Sequence, residues 1–388
     1  MSQPGLGCAK LTEKGLAAKS MKLNRLKLIN FKNYLELNID FTEGINCILG
    51  KNGMGKTNLL DAIHYISMTR SAINSVDQQN IAHGQPFFAI NTELDNKGEA
   101  RKVNCYFEKG KKKIIKVDGK EVEKLSNHIG TVPCVLITPD DTDIIREGGE
   151  FRRKFFDSVL SQYNKEYMTL LINMNRLLKQ RNSFLKNNEG NLKIDKQLLD
   201  IYDESLIPIF RKVSKIRKEF IEGFIPFFNN NYQLIFEGAE SPDIHYKSDI
   251  LEEHFENEFK NALQKDIIMQ RTSMGAHKDD YIFRLNGRPI KKFGSQGQQK
   301  SFIIALKLAE YDYLKSQIGF EPLLLLDDIF DKLDDQRIEH LVELLSDQAR
   351  FHQIFITDAR EERSRAFFKD IVGVSFQKIE DGDLLSPA

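Results

Sequence analysis

The chain has 388 residues, enough for one large core or two ordinary ones, and its 56 lysines and arginines balance 56 aspartates and glutamates. That balance excludes a global positive field as the means of recruiting nucleic acid, so any such contact has to come from local patches. The longest apolar runs, FIIAL and PLLLL, fall far short of the roughly 18 residues a bilayer span needs, which excludes a transporter subunit with its own spans; a soluble protein with no membrane partner is expected.

Residues 1–20 are small, polar and aperiodic, lack the apolar core of a signal peptide, and are expected to be a disordered extension. Met21 opens MKLNRLKLINFKNYLELNIDF, whose alternation predicts a half-buried strand; the structured protein is expected to begin there, and Met21 is a candidate start. From Leu23 to about Ile66 the pattern is strand, turn, strand, glycine loop, helix, the way an α/β nucleotide-binding lobe begins. The loop is GKNGMGKTNLL, residues 50–60, between INCIL and DAIHYI. Gly50, Gly55, Lys56 and Thr57 fit the spacing in which backbone N–H groups and a helix N-terminus surround phosphates. Gly50, Lys51, Asn52, Gly53, Met54, Gly55, Lys56, Thr57 and Asn58 are therefore the candidate cradle for a nucleotide. Lys56 would neutralise the β and γ phosphates, and the Thr57 hydroxyl would ligate Mg²⁺.

Residues 87–137 read as β-rich, with Asp118-Gly119 in KKIIKVDGKEVEKL marking a hairpin. Residues 101–124 hold nine basic and four acidic side chains, either a solvated face or a DNA contact. The four cysteines, Cys8, Cys47, Cys105 and Cys134, show no C-x-x-C spacing, which argues against a zinc site or disulfide framework and fits a reducing cytosol. A cytoplasmic protein is expected.

Phe156, Leu160, Tyr163, Tyr167, Leu170, Met174 and Leu177 form one helical stripe. Leu198, Ile201, Leu206, Ile209, Val213, Ile216, Phe220 and Phe224 form another. With the turn-forming KNNEGN between them the two predict an antiparallel helical hairpin, and Pro208 is expected to kink the second arm or mark its start. Further on, Asn286-Gly287 predicts another hairpin turn.

Two late segments complete the chemistry. Leu323–Leu326 is an unbroken apolar run, as in a strand buried on both faces, and it ends in Asp327-Asp328. Acids at the carboxyl end of such a strand lie beside a phosphate loop, so Asp327 is assigned to Mg²⁺ and Asp328 to the attacking water, with Lys56 as the other catalytic group. Ser295, Gly297 and Gln298 open a helix striped by Phe302, Leu306, Ala309 and Tyr313. Ser295 reads either as an N-cap or as part of an anion-binding helix start. It lies 239 residues after Lys56 (295 minus 56), so a whole lobe separates the two motifs, and the sequence leaves open whether they meet within one molecule or between two.

Together these motifs resemble the ABC-type ATPase heads of chromosome-maintenance proteins. GKNGMGKTNLLDAI, RRKFFDSVLSQ, KQRNSFLK, GAHKDD, GSQGQQKSFIIALKLAE and LLLLDDIFDKLD look closely like the RecF family of bacterial recombination mediators, over nearly all of residues 21–360. The resemblance implies an α/β fold: an ABC-type phosphate-loop ATPase lobe with mixed sheets, built from 21–140 and 266–388, the second part carrying signature, Walker B and D-loop. A mainly α-helical lobe, 141–265, is inserted. It implies an ATP-dependent homodimer in which Ser295 of one subunit contacts the γ-phosphate held by Lys56 of the other. It further implies DNA binding at single-strand gaps, slow ATP hydrolysis, and work with RecR and RecO to load the RecA recombinase in gap repair, replication restart and the SOS response.

Three details depart from that pattern. Gly275-Ala276-His277-Lys278 stands where the family usually reads glycine-proline-histidine-arginine, and lysine lacks arginine's bidentate geometry. Thr357-Asp358 follows the last core strand where transport-type ABC proteins place a histidine. The eight histidines form no metal-ligand cluster, leaving Mg²⁺ through Thr57 and Asp327 as the one expected metal. A GTP switch is disfavoured by the lack of an N-K-x-D segment, and a translation-factor ABC protein by the single phosphate loop. An appended nuclease is disfavoured by the short stretch after LLLLDDIF. A related ABC ATPase acting as a structural DNA clamp or nuclease subunit is the alternative.

Overall fold

A computed structural model describes residues 20–187, 196–236, 238, 240–330 and 335–385. The expected extension 1–19, most of the KNNEGN turn and much of the expected D-loop lie outside the described residues.

β1 (Met21–Phe31) and β2 (Tyr34–Asp40) pair antiparallel, and the predicted alternation is real. Met21, Leu23, Leu26 and Leu28 point inward, with a register shift between Leu23 and Arg25 that moves the inward set from odd to even positions, and Phe31, which follows Asn30 at φ 52°, points inward as well. β3 (Gly44–Leu49) then leads into α1 (Lys56–Met68). β4 (Phe87–Asn96), β5 (Glu99–Glu108), β6 (Ile114–Val117) and β7 (Lys120–Glu121) complete an antiparallel sheet in the order β2-β1-β4-β5-β6-β7. Asp118 and Gly119 both take positive φ, 51° and 79°, as a tight hairpin requires.

After α2 (Leu125–His128), β8 (Cys134–Ile137) and α3 (Asp143–Arg146) comes the helical part: α4 (Gly149–Tyr163), α5 (Lys165–Asn187) and α6 (Lys196–Ile235). The first stripe predicts one helix, but the chain breaks at Asn164. Its backbone N–H closes α4 on Leu160 O, and its side-chain oxygen accepts the Tyr167 N–H at 2.9 Å, so one residue ends α4 and caps α5. Phe156, Leu160, Tyr167 and Met174 keep their inward stripe across the break. In the second arm Leu199 is buried, while Ile201 is 59 % exposed. Pro208 does not mark the start of α6, which begins at Lys196 and carries Pro208 and Pro226 on exposed positions, where water can serve the carbonyls they leave unbonded.

β9 (Pro242–Lys247), α7 (Phe255–Asn261) and α8 (Leu263–Met269) precede β10 (Asp280–Leu285) and β11 (Arg288–Pro289), and the three strands form a small sheet around the Asn286-Gly287 turn. α9 (Ile290–Phe293), α10 (Gln296–Ile318), β12 (Leu323–Leu326), α11 (Asp335–Leu345), β13 (Gln353–Asp358), α12 (Glu361–Phe367), β14 (Val374–Glu380) and β15 (Asp383–Leu385) follow. The second six-stranded sheet runs β15-β14-β3-β13-β12-β8, parallel apart from β15.

This sheet divides two cores, which explains its unbroken apolar strands. Ile48, Leu323, Leu325 and Phe355 face the antiparallel sheet and α1, while Leu49, Leu324, Leu326 and Ile356 face the helices. On the helical side Phe220 and Phe224 of α6 pack on Tyr313 of α10, and Phe228 packs on Phe302.

Two arginines lie fully inside the helical part. Arg217 donates to both oxygens of Asp157 (3.0 and 2.8 Å), to Asp279 (2.9 Å) and to Ala276 O (2.6 Å). Arg181 donates to Asp203 (2.7 Å), Asp266 (2.8 Å) and Thr272 (2.9 Å). These pairs tie α4, α5 and α6 to the segment before β10.

Candidate nucleotide site

The carboxyl ends of β3, β12 and β13 meet at one edge of the parallel sheet, the place where such sheets bind ligands. From Leu49 the chain turns through Gly50–Gly55 into α1. A Cβ on Gly50 would stand 2.3 Å from Ile379 O, and Gly55 has φ 104° with the Asn33 amide 2.3 Å from where a Cβ would lie. Glycine is therefore required at both positions. The Lys56 side chain is buried and folds back over the loop, donating to Gly50 O (2.8 Å) and Lys51 O (3.1 Å). Asn52 and Gly53 at the loop tip are exposed.

The turn after β1 braces this loop. Asn33 donates to Met54 O (3.3 Å) and accepts from Asn58 (2.7 Å), and the Tyr34 hydroxyl donates to Gly55 O (2.8 Å). Sequence reasoning missed both residues, although NFKNY between two alternating runs marks the turn.

Thr57 Oγ1 shares its proton between both oxygens of Asp327, 2.9 Å each, across 270 residues of sequence. The Thr357 hydroxyl donates to Asp327 at 2.7 Å and accepts the Asp328 N–H at 3.0 Å. Burial holds the Asp327 carboxyl above its ordinary range, against the hydroxyls of Thr357 and Thr57 and the charge of Lys56. A carboxylate and a hydroxyl converging on one spot, with the carboxyl held high, suit a hard divalent cation such as Mg²⁺, which takes oxygen ligands and would lower that carboxyl. Asp328 sits at φ 43°, a left-handed conformation that aspartate tolerates better than most residues. Asp358 turns the other way: it accepts from Arg363, Ser364 and the Arg360 N–H and so starts α12. Thr357, like Asn33 and Tyr34, is a residue that sequence reasoning left without a role.

The signature lies apart. Ser295 Oγ accepts the Gln298 N–H at 3.2 Å while the Gln298 side chain accepts the Ser295 N–H at 2.8 Å, a reciprocal cap on α10. Gln298 also donates to Glu240 at 2.7 Å, and a Cβ on Gly297 would stand 2.2 Å from Arg337. Ser295 is exposed, and among the described residues no hydrogen bond or ion pair joins 50–58 to 294–298. Thus Lys56, Thr57 and Asp327 come together with Asp328 alongside, and Ser295, Gly297 and Gln298 stand by themselves.

The basic stretch 101–124 is partly spoken for. Lys113 is buried, bonding Asp77 (2.9 Å), the Tyr65 hydroxyl (2.8 Å) and Thr69 O (2.6 Å), so it belongs to the core. Lys111 pairs with Glu108 and Lys102 with Glu93. Lys109, Lys112, Lys116, Lys120 and Lys124 are exposed.

A phosphate loop after a central strand, an acidic pair ending the strand next but one, and helices inserted between loop and signature define an ABC-type ATPase head. The family described as RecF/RecN/SMC N terminal domain matches residues 22–381. Among curated proteins, the DNA replication and repair protein RecF of Flavobacterium johnsoniae is 46 % identical over 349 residues, covering 90 % of this chain and 97 % of its own. The protein of the same name from Cytophaga hutchinsonii is 44 % identical over 349 residues, 90 % and 92 % of the two chains. A solved structure of the recombination mediator protein RecF with ATP in the RecFOR pathway superposes with a TM-score of 0.86 at 29 % identity, covering 96 % of this chain and 99 % of that one. An Smc head domain from Pyrococcus furiosus shares the fold alone, with a TM-score of 0.56 at 15 % identity over 95 % and 96 % of the chains. The chain belongs to the RecF family.

Proposed function

We propose that this protein is an ATP-binding, DNA-binding recombination mediator that dimerises on ATP and hydrolyses it slowly, stimulated by DNA. The observation that carries the reading is the bonding of Thr57 to Asp327, which joins the phosphate loop to the acidic strand end. In this reading the loop N–H groups and the start of α1 take the phosphates, and Lys56 leaves the Gly50 and Lys51 carbonyls for them. Thr57 and Asp327 hold Mg²⁺, which when bound neutralises charge developing on the phosphates. Asp328 orients and polarises the attacking water.

Ser295 of a second copy closes the site, its exposed position at the start of α10 being open to a partner. The names of the relatives support a role in DNA replication and repair. From the family resemblance we extend this to single-strand gaps, to RecR and RecO as partners, and to loading of RecA in gap repair, replication restart and SOS induction. The test is ATP turnover and fluorescent-nucleotide binding with and without gapped DNA. Turnover that rises with DNA and vanishes in Asp328→Asn while binding persists is expected; binding without any turnover would favour the structural clamp.

A further inference from the structure

Away from the phosphate loop, a cleft of about 610 Å³ opens between the end of α1, the outer faces of α4 and α5, and the Gly275–Lys278 segment. Its charges are unequal in how they are answered. Arg217 is neutralised by Asp157 and Asp279, and Lys154 by Glu150 at 2.8 Å. Arg153 and Lys278 have no carboxylate within ion-pair distance among the described residues. Arg153 is half-buried, and its guanidinium donates only to a backbone carbonyl, Asp279 O, at 2.5 Å. Burial, with Arg217 beside it, holds Arg153 below its ordinary range, and burial with Arg271 and Arg153 nearby does the same for Lys278. Asp157, Asp279 and Asp280 act on Arg153, and Asp266 on Lys278, from beyond ion-pair distance and do not offset this, so two cations share the cleft without a direct ion pair, at a cost that an anion would reduce. Ser158 and Asn175 add neutral hydrogen-bonding groups to the lining. The adjoining cavity of about 420 Å³ mixes Asp140, Asp141, Asp143 and Glu310 with Arg70, Lys154 and Lys307, and there Lys307 is paired with Glu310 at 3.1 Å.

We propose that Arg153 and Lys278, with Ser158 and Asn175, form a second anion site that takes a phosphate group. That phosphate comes either from a nucleic-acid strand or from a small phosphorylated molecule. The planar guanidinium offers paired donors and Lys278 a mobile point charge at the exposed mouth, a combination suited to phosphate oxygens. The departure from the usual family arginine at position 278 keeps the charge and relaxes the geometry. The strand version rests on the DNA-binding reading above; the small-molecule version does not.

The test uses the full chain on a Lys56→Ala background, which removes the phosphate loop's cation, with inorganic phosphate and a 5′-phosphorylated 12-mer as probes in calorimetry. Arg153→Gln with Lys278→Gln is expected to weaken the bound probe about tenfold or more. For the 12-mer it should also flatten the salt slope by about 0.7 for each phosphate no longer neutralised. Weaker binding of the 12-mer identifies a strand site, and weaker binding of inorganic phosphate alone identifies a small-molecule site. Lys278→Gln alone, at an exposed side chain, carries the test if Arg153→Gln lowers the melting temperature. Unchanged affinity for both probes, or no binding of either to the background protein, overturns the proposal. Failure of the wild-type chain to bind DNA with ATP would count against the proposed function and leave the inorganic phosphate arm intact.

Discussion

Asp327 and Asp279 are both buried, one at the edge of the parallel sheet and one beneath the helical part, yet their surroundings differ in kind. Asp279 is answered within the chain by Arg217 at 2.9 Å, Ser214 at 2.9 Å and Tyr246 at 2.6 Å. Asp327 meets two threonine hydroxyls, and burial holds its carboxyl high. A buried acid with its own arginine stabilises a fold, whereas a buried acid left with hydroxyls is completed by something outside the chain. The comparison separates structural polar groups from functional ones without reference to motifs.

The largest expected effect comes from breaking the structural side. Arg217→Met leaves the buried Asp279 and the half-buried Asp157 without their cation and should cost about 3–5 kcal/mol, read as a drop in urea midpoint. Asp327→Asn removes a carboxylate that is costly to bury and should leave stability unchanged or raised. Similar drops for both would erase the distinction.

The functional side breaks differently. Asp327→Asn should weaken Mg-ATP binding about tenfold or more, while Asp328→Asn should bind ATP normally and stall as a dimer. Equal loss of nucleotide affinity in the two variants would refute the division between metal and water.

A smaller effect is readable in pH. Burial pushes His277 down to about 4, and its Nε2 donates to Thr272 O at 3.0 Å, so it is neutral in the folded state. An unfolded chain takes up that proton near the ordinary histidine value of about 6.5. Its contribution is thus fully present above about pH 6.5 and is lost as pH falls toward 4, at up to about 1.4 kcal/mol per pH unit. Urea midpoints of His277→Gln should fall less steeply than wild type between pH 7 and 5; parallel slopes would contradict the assignment.

The smallest effect concerns the surface. Reversing the exposed Lys109, Lys112 and Lys116 should flatten the salt dependence of duplex binding by about 0.9 for each phosphate no longer neutralised if this face touches DNA. No change in slope would make it a solvated face. Lys113 has to be left alone, because its bond to Asp77 holds the core.

What could be read in the sequence was contiguous. The phosphate loop, the two positive-φ hairpin turns and Leu323–Leu326 with its acids each depend on neighbours within a few residues, and each stands in the structure where it was expected. The remainder depends on distant partners. Asn33 and Tyr34 matter because the loop closes on them, and Thr357 because β13 lies beside β12. Arg181 and Arg217 look like ordinary polar-face residues of amphipathic helices until Asp157, Asp203, Asp266 and Asp279 are brought to them. Asn164 splits a helix whose hydrophobic stripe continues unbroken, so periodicity alone had no means of finding the cap.

The central claim is that the phosphate loop of one copy is closed by Ser295 of another, and light scattering on mixed variants with a non-hydrolysable ATP analogue tests it most directly. Ser295→Arg should bind one nucleotide per chain and remain monomeric, and Lys56→Arg should also fail to dimerise. Their mixture contains one site with both residues intact, so it should regain nucleotide-dependent dimers. Dimerisation of Ser295→Arg alone, or a mixture that stays monomeric while Ser295→Arg still binds nucleotide, would contradict the shared site and leave Ser295 as the cap of α10.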